Sequence, residues 1–183
     1  FSKNTKKYIY LVSKNKKRFF NFDILFILGY TRFLSSNFLR KNSLNLVVHE
    51  SDLPKGRGLA PVQWQLLKNK KRLPIKLFKV NQKIDTGDIY EHDYFFIKKS
   101  DLDNEIRFKQ ALATIKIIEN FLRKYPRVKS SKQKGKASYF KKRNPKDHKL
   151  DVNKSLKANF NLLRISNNEK YPAYFNLYGK KYI

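Results

Sequence analysis

DILFILGYTRFLSSNFLRKNSLNLVVHES, residues 23–51, decides the architecture. DILFILGY (23–30) is a near-continuous apolar run of strand length, and LNLVVHES (44–51) is a second one. Between them TRFLSSNFLRKNS (31–43) places apolar residues at 33, 34, 38 and 39, the spacing of a short helix. Strand, short helix, strand predicts a βαβ unit, and apolar runs without polar alternation predict a parallel sheet buried on both faces. Ligands of such sheets sit beyond the carboxyl ends of the strands. His49, one of only three histidines, falls at such an end.

Outward from this unit, DLPKGRGLAP (52–61) is a loop by its proline and glycine content, and Pro61 suits the first turn of a helix, PVQWQLLKNKK. RLPIKLFKV (72–80) reads as a third strand of the parallel sheet, IDTGDI (84–89) as a polar turn, and YEHDYFFIKK (90–99) as an antiparallel edge strand. DNEIRFKQALATIKIIENFLRK (103–124) is the clearest helix, with 108, 111, 112, 115, 118 and 122 as its apolar face and Ser100 or Asp103 as its cap. Residues 123–149 hold twelve Lys/Arg against one Asp and read as a solvated loop. The tail, 156–183, reads as a short helix and a small hairpin turned at Leu177–Gly179. At the other end, residues 1–22 carry seven Lys/Arg and no acid, with KYIYLV (7–12) as a strand.

The 183 residues suit one domain, or a domain with a small appendage. The chain has no Cys, which excludes disulfides and thiolate metal sites, and three scattered histidines make no metal centre. It has no Met and starts at Phe1, so it is expected to be a fragment or a processed chain. No run approaches the ~18–20 apolar residues of a membrane span, and YIYLV is too short for a signal segment, so a cytoplasmic location without membrane insertion is expected. The net charge of +28 suits a polyanion such as tRNA or a phosphate-bearing small substrate. It equally suits plain composition, since Lys and Asn are abundant everywhere, and so it does not choose between functions.

Two polar loops carry the chemistry. HESDLPKGRG (49–58) follows the second strand, and IDTGDI (84–89) follows the third. Emerging at one edge of a parallel sheet, they bring His49 near Asp85 or Asp88. An imidazole beside a carboxylate performs general acid–base work on a nucleophile attacking a carbonyl, and opposes the charge of an oxyanion. The glycines permit close backbone approach. By spacing alone, a structural histidine at a strand end and an ordinary Asp-Thr-Gly-Asp turn fit as well. Trp64 reads as the core anchor of the helix after the loop, and His92 and His148 as surface residues.

HESDLPKGRGLAP followed by IDTGDI resembles the folate-dependent formyltransferases, whose motif runs Asn-x-His-x-Ser-Leu-Leu-Pro-x-x-Arg-Gly-x-x-Pro and then Asp-Thr-Gly-Asp. His49, Ser51, Leu53, Pro54, Arg57, Gly58, Pro61 and the Asp85–Asp88 turn match. The later SYFKKRNPKDHKLD, LLR and YPAYF resemble the nucleotide-sugar N-formyltransferases of surface-polysaccharide and lipopolysaccharide synthesis, through Arg143, Pro145, Asp147, Arg164, Tyr171, Pro172 and Ala173. The resemblance implies a Rossmann-like α/β fold with a mostly parallel sheet, flanking helices, missing or reduced N-terminal strands and a small C-terminal extension. It divides the chain into a catalytic domain (1–125), a basic linker (126–150) and the extension (151–183). It implies formyl transfer from N10-formyltetrahydrofolate, with no metal, to a primary amine, foremost that of a nucleotide-linked amino-deoxysugar. Methionyl-tRNA formylation is the alternative, and a degenerate, inactive binding protein is a second. His49 and Asp85 would be catalytic. Leu28, Tyr30, Leu34, Lys83, Ile84 and Asp88 would hold the folate; Ser51, Pro54, Arg57, Gly58, Arg143 and Arg164 would shape the loop and substrate site. A homodimer is the expected assembly. One position departs from the pattern: Val47 stands where the family has Asn, and Asn45, two residues further back, sits too deep to replace it.

Overall fold

A computed structural model describes residues 23–30 and 34–183. The expected strand at KYIYLV, and position 33 of the first helix, lie outside the described residues. β1 (Ile24–Ile27), α1 (Ser36–Leu39) and β2 (Leu44–His49) form the expected βαβ unit, β1 and β2 running parallel in register from Ile24 beside Leu44 to Ile27 beside Val47. α1 is a single turn, started by Ser35, whose Oγ accepts the Phe38 N–H at 3.2 Å. The chain continues through β3 (Arg57–Gly58), α2 (Pro61–Leu67), β4 (Arg72–Lys79), β5 (Ile89–Phe96) and α3 (Asp103–Lys124). It ends in β6 (Tyr139–Phe140), a 3₁₀ turn at Pro145–His148, α4 (Leu156–Arg164), and the hairpin of β7 (Phe175–Leu177) and β8 (Lys180–Tyr182).

The main sheet has the order β1-β2-β4-β5 and is mixed. β4 pairs antiparallel with β2, His49 lying opposite Lys76, which corrects the expectation of a parallel third strand. The reason is length. A seven-residue helix rises about 10 Å, whereas β2 is roughly 20 Å long. α2 therefore cannot carry the chain back to the start of β2, and β4 begins where β2 ended. β5 is the expected antiparallel edge strand among the described residues.

The core lies between the sheet and α3. Leu46, Leu73, Ile75, Leu77, Ile117 and Phe121 are buried in it. Phe121 stands edge-on to Phe26 at 5.9 Å and to Tyr90 at 5.6 Å, so one ring joins β1 to the start of β5. The bounds of α3 are as expected, but its buried face is only partly so. Of the expected face, Ile118 is buried and Leu122 packs against the core, whereas Phe108, Leu112 and Ile115 are 64, 50 and 54% exposed; Ile106, Ala113, Ile117 and Phe121 face inward instead. Nor do Ser100 or Asp103 cap it. The Glu105 carboxylate reaches back to the Leu102 N–H at 2.9 Å, and Asp103 accepts from Arg107 at 2.7 Å.

The tail forms the expected helix and hairpin, with Tyr178 and Gly179 turning at φ 48° and 73°. His92 is exposed, as expected, but His148 is 2% exposed, which corrects its reading as a surface residue. It stacks on Tyr171 at 5.5 Å, with Arg143 Nη2 3.3 Å from its Nδ1. Trp64 is half-buried, and its Nε1–H donates to the Lys141 carbonyl at 2.8 Å. Among the described residues, no helix is long and apolar enough to cross a membrane.

Candidate active site

His49 is the last residue of β2, and its ring is nearly buried. The chain turns back through 50–56 and brings the Gly56 carbonyl to 2.8 Å from His49 Nε2. A carbonyl only accepts, so this contact makes Nε2 the protonated ring nitrogen. Asp85 arrives from the loop between β4 and β5. Its Oδ2 accepts the Gly58 N–H at 2.8 Å and lies 3.8 Å from His49 Nε2. The two loops thus meet as expected, although the strand leading to Asp85 runs the other way. Asp85 has φ 51°, a left-handed conformation that Asp tolerates better than most side chains. The glycines beside it are sterically required. A Cβ on Gly58 would lie 2.3 Å from the Phe140 carbonyl oxygen, and one on Gly87 would lie 1.6 Å from that of Lys79.

The basic stretch after α3 is not free in solvent; it is laid along both loops. Ser131 and Ile89 exchange two backbone hydrogen bonds of 2.8 Å. Gln133 Nε2 donates to the carbonyls of Asp85 and Gly87, both at 2.9 Å, and its Oε1 accepts from Arg57 at 2.7 Å. Ser138 Oγ accepts the Gly56 N–H at 2.9 Å, and β6 pairs with β3. Sequence reasoning missed Gln133 and Ser138. The one available signal was a lone glutamine, the single one in residues 111–183, in a lysine-rich run.

Glu50 was also missed. It follows His49 and turns to α3, where its Oε1 accepts from Gln110 at 2.7 Å, while Gln65 holds its carbonyl at 2.6 Å. Burial pushes its carboxyl above the ordinary carboxylate range, against the Gln110 hydrogen bond and the attraction of His49. Ser51 Oγ is buried with no hydrogen-bond partner among the described residues. Pro54 is buried and accepts the Ser138 N–H at 3.2 Å.

Of the residues expected to hold folate, Leu28 and Ile84 are half exposed, 51 and 50%, and Lys83 is exposed. Gln82 donates to Ser36 at 3.0 Å, so the loop carrying Lys83 and Ile84 meets the segment carrying Leu34. Tyr30 is half-buried after β1. Asp88 closes the loop through its carbonyl, which accepts the Lys79 N–H at 2.9 Å. Leu28 and Ile84 leave apolar surface facing solvent. Val47 sits in the ladder between Ile27 and Phe78, and Asn45 spends its amide on the Leu39 carbonyl at 2.8 Å. Arg143 and Arg164 are buried and turned to backbone: Arg143 donates to the Asp147 carbonyl at 3.2 Å, and Arg164 to those of Lys98 and Lys99 at 2.8 and 2.7 Å. Among the described residues, no group of three or more His, Asp or Glu could hold a metal ion.

The family model described as formyl transferase matches residues 12–119, more than half of the chain, including both loops. The chain belongs to the formyl transferase family. It is similar to the bifunctional polymyxin resistance protein ArnA of Wigglesworthia glossinidia brevipalpis, 31% identical over 98% of this chain and 27% of that protein. The methionyl-tRNA formyltransferase of Buchnera aphidicola subsp. Baizongia pistaciae is 33% identical over 71% of this chain and 41% of that protein. The chain thus spans well under half the length of either curated relative. Among solved structures, WlaRD, a sugar 3N-formyl transferase in the presence of dTDP and 5-N-formyl-THF, superposes with a TM-score of 0.68 at 23% identity. The superposition covers 86% of this chain and 58% of that one, and it shows a shared fold.

Proposed function

We propose that this formyl transferase moves a formyl group from N10-formyltetrahydrofolate to a primary amine, that of a nucleotide-linked amino-deoxysugar. The observation that carries the reading is the meeting of His49 and Asp85, 3.8 Å apart, beside a loop whose Ser51 hydroxyl has no hydrogen-bond partner among the described residues. An amine attacks a carbonyl carbon only when neutral, so a base is needed near neutral pH, and Asp85 takes that proton. His49 opposes the negative charge that develops on the formyl oxygen. N10-formyltetrahydrofolate supplies the formyl carbon: a bond from that carbon to the amine nitrogen forms, its bond to N10 breaks, and the proton removed from the amine passes to N10. We assign this chemistry to residues 1–125, with 126–150 lying across the site and 151–183 as an extension.

For the sugar class, the tail resembles nucleotide-sugar N-formyltransferases through Arg143, Pro145, Asp147, Arg164, Tyr171, Pro172 and Ala173, and WlaRD, a sugar 3N-formyl transferase in the presence of dTDP and 5-N-formyl-THF, shares the fold. The 33% identity with a methionyl-tRNA formyltransferase supports the second reading, methionyl-tRNA formylation. Purified chain incubated with N10-formyltetrahydrofolate and either amino-sugar nucleotides or charged initiator tRNA separates them. Turnover of an amino-sugar nucleotide is expected. Turnover of the tRNA alone overturns the sugar reading, and turnover of neither by folded protein favours the inactive binding protein that Val47 allows.

A further inference from the structure

The segment after α3 holds both catalytic partners without being part of either loop. Gln133 ties the Asp85 and Gly87 carbonyls, and Ser138 ties the N–H of Gly56, the residue whose carbonyl orients His49. Between them, Arg57 donates to Gln133 and exchanges backbone contacts with the strap, its N–H donating to the Ser138 carbonyl at 2.9 Å. We propose that residues 131–138 are a positioning strap that sets Asp85 against His49, with Gln133 as its fixing residue. This rests on the assignment of His49 and Asp85 as the reacting pair.

The chemistry of the three neighbours fixes the amide of Gln133. Two carbonyls only accept and a guanidinium only donates, so the NH₂ must face the Asp85 loop and the oxygen must face Arg57. Gln133 thus touches both loops from outside them, through opposite ends of the same amide. Without its two donors, the left-handed turn at Asp85 keeps the Gly58 N–H as the contact that aims its carboxylate. Misplacing a reacting group by about an ångström costs up to ~10²-fold in rate. Lys132, Lys134 and Lys136 of the strap are exposed, and their substitution is expected to leave this geometry unchanged.

The three histidines make the test readable without knowing the acceptor. Histidine-labelled protein gives one set of ring resonances each for His49, His92 and His148. Asp85→Asn supplies the reference displacement for His49. Gln133→Glu retains the oxygen facing Arg57 and loses both donors; Gln133→Ala loses everything. The expected result is that both variants move the His49 signals in the direction of Asp85→Asn while His92 and His148 stay in place. With an acceptor that the wild type turns over, kcat falls at least roughly tenfold and the KM for N10-formyltetrahydrofolate holds within about twofold. Two outcomes overturn the proposal: His49 signals unmoved in Gln133→Glu when Asp85→Asn moves them, or all three histidines moving together in both variants, which makes Gln133 a general structural prop. Since the ring signals need no turnover, an inactive wild type sinks the formyl-transfer reading and leaves the strap to be judged on its own.

Discussion

Glu50 shows how one buried group writes pH into the stability of the site. Burial raises its carboxyl above its ordinary value of 4.5, and Gln110 and His49 only partly oppose that. A carboxyl raised in the folded state contributes stability that is fully present below the unfolded value and is lost as pH rises through the folded one. Glu50→Gln keeps the shape and cannot ionise. It should withstand more urea than the wild type at about pH 8 and lose that advantage at about pH 4; an equal advantage at both would show that the carboxyl is not desolvated. Residue identities at the site were legible because the two motifs name them. Their hydrogen bonds were not. Nothing in the sequence says that Asn45 turns to Leu39, or that Gln133 reaches 46 and 48 residues back to Gly87 and Asp85.

At the scale of elements, the length of α3 was legible and its orientation was not. Apolar side chains occur at 106, 113, 117 and 121 and again at 108, 112 and 115, on opposite sides of the helix. Periodicity finds such a helix but cannot say which side meets the sheet. The structure makes the distinction testable. Phe121→Ala should destabilise the chain by about 3–5 kcal/mol, as buried aromatic truncations do, and Phe108→Ala by about 0.5 kcal/mol or less. Comparable losses in urea unfolding would refute the assigned face. Strand direction was illegible for a related reason, since an apolar run reads the same parallel or antiparallel. The 3₁₀ turn at Pro145–His148 carries a second pH effect. Burial, and then the neighbouring Arg143, lower the His148 imidazole from its ordinary 6.5. Its contribution is present above that value and is lost as pH falls through the folded one. Protection of the Leu150 amide, which donates to Tyr174, should therefore fall on acidification from about pH 7 to 5 before that of the β4 amides. Parallel loss in both would contradict a local role.

At the scale of the whole molecule, the charge of +28 and the chemistry are separate matters. Among the described residues, the lysines other than Lys76 and Lys109 are exposed, whereas His49 and Asp85 sit among backbone contacts at the end of β2. The α/β class, the βαβ unit and the convergence of the two loops followed from 29 residues and two motifs. The strap did not, because its lysine-rich composition is what solvated loops also show, and only the three-dimensional path puts Gln133 and Ser138 on the motif glycines. The most direct test of the account is the kinetics of His49→Ala and Asp85→Ala, paired with calorimetric binding of 5-formyltetrahydrofolate. The account predicts that turnover falls by about 10²–10³-fold in His49→Ala, and by at least as much in Asp85→Ala, with folate binding within about twofold of wild type. Near-normal turnover in either variant would contradict it.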